Sequence, residues 1–163
     1  MEKISIENAR PEDLEGMLAL IKELAEYEKA PEAVIVDLPR FRQYFEEGLF
    51  RALVARVDGR LAGMALYYYA YSSWKGKILY LDDLVITRDE RRKGLGKLLF
   101  DELIRISART GCRQMRWHVL DWNEPAIRFY EKYGASLDPE WITGKFEWEQ
   151  LKELDEKLNK KEE

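Results

Sequence analysis

An apolar run from Lys77 to Thr87 leads into the basic, glycine-bearing turn Arg91-Arg92-Lys93-Gly94-Leu95-Gly96, and that turn opens an amphipathic helix. A helix N-terminus leaves its first N–H groups unpaired at the positive end of the dipole. Glycine lets the backbone approach an anion closely. Between Arg88 and Lys97 the bases Arg88, Arg91, Arg92, Lys93 and Lys97 outnumber the acids Asp89 and Glu90. The pattern fits a polyphosphate site; by itself the hexapeptide fits an ordinary basic loop equally well. It is not a P-loop, because no Gly-x-x-x-x-Gly-Lys-Ser/Thr occurs, and Leu99 breaks the Gly-x-Gly-x-x-Gly/Ala dinucleotide pattern.

The remaining elements follow from periodicity. Ile4 and Ile6 alternate with polar residues as a short strand does. Pro11 opens a helix whose inward face is Leu14, Met17, Leu18, Ile21, Leu24 and Ala25. Asp37 caps a second helix holding Phe41, Tyr44 and Phe45, and Gly48 ends it. Phe50 to Val57 and Leu61 to Tyr71 are strands joined through Asp58-Gly59, a hairpin signal. Lys77 to Thr87 is the next strand, interrupted by Asp82-Asp83. A helix follows from about Gly94, with Leu98, Leu99, Leu103 and Ile106 inward, then a strand from Gln114 to Leu120. Asn123 caps a helix that stops at Gly134; a strand pair around Trp141 to Trp148 and a charged C-terminal helix complete the order. This β-α-α-β-β-β-α-β-α-β order predicts an α+β (mixed α/β) fold, not a doubly wound sheet.

Length and composition narrow the function classes. The 163 residues suit one domain, 1–163, with a charged tail from about Lys157 that disorder would suit. A net charge of −4 argues against general nucleic-acid binding. No stretch approaches the ~20 apolar residues of a membrane helix, and the first residues lack a signal-peptide core. Cys112 and His118 are the only cysteine and histidine, so no metal site is expected. His118 reads as a strand residue without catalytic duty. These features predict a cytoplasmic protein.

Asn123, Ala126, Tyr130 and Gly134 fall near one helical stripe. Tyrosines at such spacing are usually core. Paired with the preceding Arg-x-x-Gly-x-Gly turn, however, they make the chain resemble the GCN5-related N-acetyltransferases, from Ile4 to about Trp148. The segments Leu20 to Glu28, Gly76 to Asp83, Trp122-Asn123-Glu124-Pro125 and Gly134-Ala135-Ser136 resemble the diamine (spermidine/spermine) and thialysine acetyltransferase branch. The resemblance implies a central mixed twisted sheet flanked by helices, with splayed strands holding CoA. It implies acetyl-CoA as co-substrate and direct acetyl transfer to a primary amine in a ternary complex. Pantetheine would pair with Leu84, Val85 and Ile86. Pyrophosphate would lie on Arg91, Arg92, Lys93, Gly94, Leu95, Gly96 and Lys97, with Asn123 near the pantetheine. Tyr130 would protonate the departing thiolate, Tyr27 and Glu28 would hold the amine, and Asp82 would help it lose its proton.

Two departures stand out. Arg92 occupies a position where the family usually has glycine, and Asp82 replaces a glutamate, favouring a water relay. The residues agree with the chemistry. A primary ammonium, with a pKa of about 10.4, must be attracted and then deprotonated. The acids Glu12, Asp13, Glu15, Glu23, Glu26, Glu28 and Glu32, with Asp82-Asp83, supply negative charge opposite the basic turn. The tyrosines Tyr67, Tyr68, Tyr69 and Tyr71 and Trp74 read as strand packing, with part of the group free to line an amine channel. Alternatives are a thialysine, lysine-like amino acid, aminoglycoside or protein N-terminus as acceptor, or a non-catalytic acetyl-CoA-binding module. The resemblance implies a homodimer through the C-terminal strands, with Trp141, Phe146 and Trp148 as contact candidates.

Overall fold

The computed structural model describes residues 1–160. They fall into two compact units, Met1–Leu120 and Asp121–Glu163, and each is described by itself.

The first unit is a five-stranded sheet in the order β1-β2-β3-β4-β5. The strands are β1 (Ile4–Asn8), β2 (Arg51–Val57), β3 (Arg60–Ser72), β4 (Gly76–Ile86) and β5 (Gln114–Arg116). β1 to β4 are antiparallel neighbours, and β5 joins β4 in parallel. The helices are α1 (Leu14–Tyr27), α2 (Leu38–Glu46) and α3 (Leu95–Arg109).

Local chemistry sets the turns. Asp58 and Gly59 have φ of 49° and 78°, the double left-handed geometry that a two-residue hairpin needs. The Asp37 carboxylate accepts the Arg40 N–H at 2.9 Å and caps α2. Leu14, Met17 and Leu18 of α1 are buried with Phe41 of α2 and with Ala52, Val54, Met64, Leu66 and Val85 of the sheet. The intervening Leu53, Ala55, Ala65 and Tyr67 are buried as well. Side chains alternate across a strand, so both faces of the sheet are covered, and α3 is the other helix in contact with β2, β3 and β4. Asp13, buried just before α1, receives both carboxylate contacts from Arg56 at 2.8 Å and the Arg10 N–H at 2.9 Å. That clamp ties the start of α1 to β2.

Four expectations differ from the structure, one of them in the charged tail described below. Leu98 is 40% exposed, while Leu95, Leu99, Phe100 and Leu103 are buried; the inward stripe of α3 includes Leu95 and Phe100 instead. β5 stops at Arg116, because residues beyond it leave β4. No strand pair forms around Trp141–Trp148. Trp141, Ile142, Phe146 and Trp148 are 74%, 95%, 62% and 63% exposed, without the cross-strand neighbour that stabilises such residues.

The second unit holds α4 (Glu124–Glu131) and α5 (Trp148–Asn159). Asn123 Oδ1 accepts the Ala126 N–H at 3.4 Å and caps α4. Of the charged tail, residues 157–159 are helical, where disorder was expected; residues 161–163 lie outside the described residues.

Candidate active site

Two properties of β4 build the site. The first is a free edge. Pairing with β5 ends where Tyr80 meets Arg116, yet β4 continues to Ile86. Residues 81–86 therefore have no sheet partner on that side among the described residues. On their other side Leu84, Val85 and Ile86 are held by Ala65, Met64 and Gly63. The result is a rigid strand with one open row of backbone groups, suited to an extended ligand.

The second property is a bulge. Leu66 faces Asp83, but Tyr67 faces Leu81, so Asp82 is an extra residue in β4. In a regular strand Asp82 and Asp83 would point to opposite faces. A bulge re-aims side chains, and here both aspartates line one pocket of about 450 Å³. Glu28, at the end of α1, lines it too, together with apolar groups including Ile21, Leu24, Val34 and Val36. No basic residue lines this pocket.

Crowding these carboxyls shifts them upward. Burial pushes Asp83 up to about 7, with added repulsion from Asp82 and Glu28. Glu28 is raised by burial and then by Asp82. Asp82 keeps over a third of its surface exposed, yet its carboxyl is also raised by burial; His118 acts in the opposite sense. A recessed carboxyl can touch water and still have lost most of the bulk solvent around it.

Aromatic groups border the aspartates. Tyr68 stacks on Tyr80 with ring centroids 5.0 Å apart. The Tyr80 hydroxyl is hydrogen-bonded to His118 Nδ1. Burial, then Tyr68 and Asp82, push the Tyr80 phenol up to about 12.

The basic turn lies between β4 and α3. Arg92 and Gly94 have φ of 67° and 80°, so Arg92 adopts a left-handed backbone that glycine takes more readily. Much of the basic charge there is engaged. Lys93 Nζ is 2.8 Å from Glu2 and 2.7 Å from Glu90. Lys97 is 2.6 Å from Asp101. Arg91 Nε donates to the Ile86 carbonyl at 3.2 Å, and its guanidinium lies 3.5 Å from Glu23 and 5.9 Å from the Tyr27 ring centroid. The anion-attracting part that remains is the α3 N-terminus with its backbone N–H groups, together with the guanidinium groups of Arg88 and Arg92.

The structure thus brings Glu28 and Asp82 together in one pocket, and joins Arg91 to Tyr27. Leu84, Val85 and Ile86 lie on the free edge, and Arg92, Lys93, Gly94, Leu95, Gly96 and Lys97 form the turn and first helical residues. Asn123 and Tyr130 belong to the second unit. There Tyr130 is buried on α4, its ring 5.3 Å from that of Phe129, and Gly134 has φ of 75° beyond the helix. Sequence reasoning gave Asp83 only a share in the negative charge and Tyr68 only a place in a group free to line an amine channel, and it did not place Tyr80 or His118 in the site. The signal for Asp83 was present: two consecutive aspartates inside an apolar strand require a bulge or an open face. His118 was taken for a strand residue; it lies past the end of β5.

A profile of the Acetyltransferase (GNAT) family matches residues 14–135. The chain belongs to that family. It is a GNAT acetyltransferase with a mixed five-stranded sheet. The thialysine N-epsilon-acetyltransferase of Bos taurus is 33% identical over 94% of this chain and 98% of its own length. The spermidine/spermine N(1)-acetyltransferase-like protein 1 of Homo sapiens is 34% identical over 94% of this chain, which spans only 24% of that protein. An aminoglycoside N-acetyltransferase solved in complex with CoA superposes with a TM-score of 0.72, at 18% identity, over 90% of this chain and 96% of its own. At that identity the likeness concerns the fold.

Proposed function

We propose that this GNAT acetyltransferase transfers the acetyl group of acetyl-CoA to a primary amine of a small cation, a diamine or polyamine such as spermidine or spermine. The observation that carries the reading is the pocket holding Glu28, Asp82 and Asp83 without a basic lining residue. Three carboxylates attract a molecule with several positive charges. An amino-acid acceptor brings a carboxylate of its own, for which this pocket has no cation. The second reading, thialysine, is favoured by the names of several relatives.

In this reading acetyl-CoA supplies the thioester to be attacked. The open row of backbone groups at Leu84, Val85 and Ile86 suits the amide-bearing pantetheine arm, and the N–H groups from Arg92 to Lys97 suit its pyrophosphate. A backbone N–H near Leu84 would stabilise the oxyanion. Asn123 helps position the arm, and Tyr130 gives its phenolic proton to the departing thiolate. Tyr27 and Glu28 hold the amine. Asp82, through water, takes the proton that the ammonium must lose before attack. No metal is assigned a role. The exposed Trp141, Phe146 and Trp148 suit a homodimer contact. We assign the protein to the cytoplasm; no helix among the described residues is long and apolar enough to cross a membrane.

An amine panel that follows thiol release from acetyl-CoA tests this. Spermidine, spermine, putrescine, thialysine, lysine and an aminoglycoside make up the panel. The highest kcat/KM is expected on a polyamine. A preference for thialysine would overturn the polyamine assignment and keep the reaction.

A further inference from the structure

The chain's only histidine lies beside the carboxylates, and nothing in the reaction outlined above uses it. His118 follows β5 by two residues, at the point where β5 and β4 part. Its Nδ1 is hydrogen-bonded to the Tyr80 hydroxyl, and the two rings lie edge to face with centroids 5.7 Å apart. Asp82, the bulged residue, follows Tyr80 by two residues on β4 and is an electrostatic neighbour of both the Tyr80 phenol and His118. His118 is exposed, while Tyr80 is partly covered.

We propose that Tyr80 and His118 form a proton relay from Asp82 to solvent, carrying away the proton that the acceptor ammonium loses. This inference rests on the reading of Asp82 as the group that takes that proton.

The steps balance without a further reactant. The ammonium N–H bond breaks, and its proton joins an Asp82 carboxylate oxygen, leaving the lone pair on the amine. The Asp82 O–H proton then passes, directly or through one water, to the Tyr80 oxygen, as the Tyr80 hydroxyl proton moves to His118 Nδ1. Tyr80 is never ionised, in keeping with a phenol pushed up to about 12. The imidazolium releases its Nε2 proton to water, and the ring is left neutral. Nδ1–H now donates to the Tyr80 oxygen; Nε2 takes a proton from water as Nδ1 releases one, which restores the Nε2–H tautomer and lets the Tyr80 hydroxyl donate to Nδ1 again.

The groups around Asp82 give the relay a direction. Glu28 of α1 and Asp83 of β4 are carboxyls raised by burial and by neighbouring carboxyls. Both are poorer places than solvent for the charge left behind when a proton departs. Tyr68 of β3 and Tyr80 of β4 are phenols raised by burial. Arg116 of β5 acts on Tyr80 alone among these. His118 brings an imidazole, which can accept a proton at one ring nitrogen and release one from the other.

Two sets of measurements test the pair. In steady-state kinetics His118→Ala lowers kcat with the best amine roughly 10-fold, at the low end for a proton-transfer group. The KM for acetyl-CoA stays unchanged, and added imidazole restores the rate. His118→Gln, which keeps a hydrogen-bonding side chain and cannot titrate, loses the same activity and flattens the pH profile of kcat. Variants within twofold of wild type, with its pH profile, would overturn the relay. The second measurement needs no substrate. Because the chain has one histidine, its imidazole ¹⁵N signals are assigned without ambiguity. The Nδ1 shift is expected to change in Tyr80→Phe, and a pH inflection in the ring signals is expected to disappear in Asp82→Asn. A ring indifferent to both substitutions would overturn the pairing. If the wild-type protein acetylates no amine, the proposed function fails, and the spectrum still decides whether the pair exists.

Discussion

Replacing Asp83 by asparagine is expected to make the protein less sensitive to alkaline pH. In the folded state the carboxyl is pushed from an ordinary 3.8 up to about 7, by burial first and then by Asp82 and Glu28. A raised carboxyl means that the folded state binds the proton more tightly than the unfolded chain does. The associated stability is complete below pH 3.8 and is lost as pH rises toward 7. Between pH 5 and the folded midpoint the loss spans two pH units at about 1.4 kcal/mol each, or about 3 kcal/mol. Part of this is shared with Asp82 and Glu28, so the effect of Asp83 alone is nearer 2 kcal/mol. For a chain of this size that corresponds to roughly 4–8 °C in Tm. Calorimetry at pH 5 and pH 8 on both proteins provides the assay. The wild-type Tm is expected to fall more than that of Asp83→Asn on going to pH 8, by about that margin. A polyamine should restore more of the wild-type loss than of the variant's, since its charge compensates an ionised Asp83. Equal pH dependence in the two proteins would refute the placement of Asp83 in a desolvated carboxylate cluster.

Tyr130→Phe is expected to lower kcat by roughly 10²–10⁴ with little change in the KM for amine, measured by thiol release; near-normal turnover would remove Tyr130 from the leaving-group step. Asp13→Ala leaves the Arg56 guanidinium, 15% exposed as a side chain, without its main partner, and should cost about 3–5 kcal/mol in urea unfolding. A loss under ~1 kcal/mol would show that water replaces the pair. A Cβ at Gly63 would lie 2.4 Å from Ile86 Cδ1 and 2.9 Å from the Val85 carbonyl. Gly63→Ala is therefore expected to destabilise by about 1–3 kcal/mol and to raise the KM for acetyl-CoA, because the clash forces β4 away from β3 at the free edge.

The parts of the fold that were legible in the sequence depend on neighbours in the chain. The buried Leu14, Met17 and Leu18 of α1 follow from helical periodicity, and the β2–β3 hairpin follows from Asp58-Gly59. Trp141, Phe146 and Trp148 suggested strands because aromatic residues favour pleated surfaces. That preference is expressed only when a second strand is available. Asp82 and Glu28 were assigned to one site through resemblance; the Asp82-Asp83 pair hinted at a bulge, but its register depends on Leu66 and Tyr67 of β3 pairing with Asp83 and Leu81, which no local pattern specifies.

The length of β5 joins the two halves of the site. Its three residues pair with Ile78, Leu79 and Tyr80. By the same register a longer β5 would reach residues 82 to 86 and fill the free edge. Stopping at Arg116 leaves that edge open for an extended ligand. It also frees His118, which the register would otherwise set opposite Asp82 as an ordinary ladder residue, to turn toward Tyr80. One short strand thus accounts for both the open backbone groups and the position of the only histidine. Neither feature can be read from the strand's own sequence, Gln114-Met115-Arg116, because both arise from where its partner β4 continues without it.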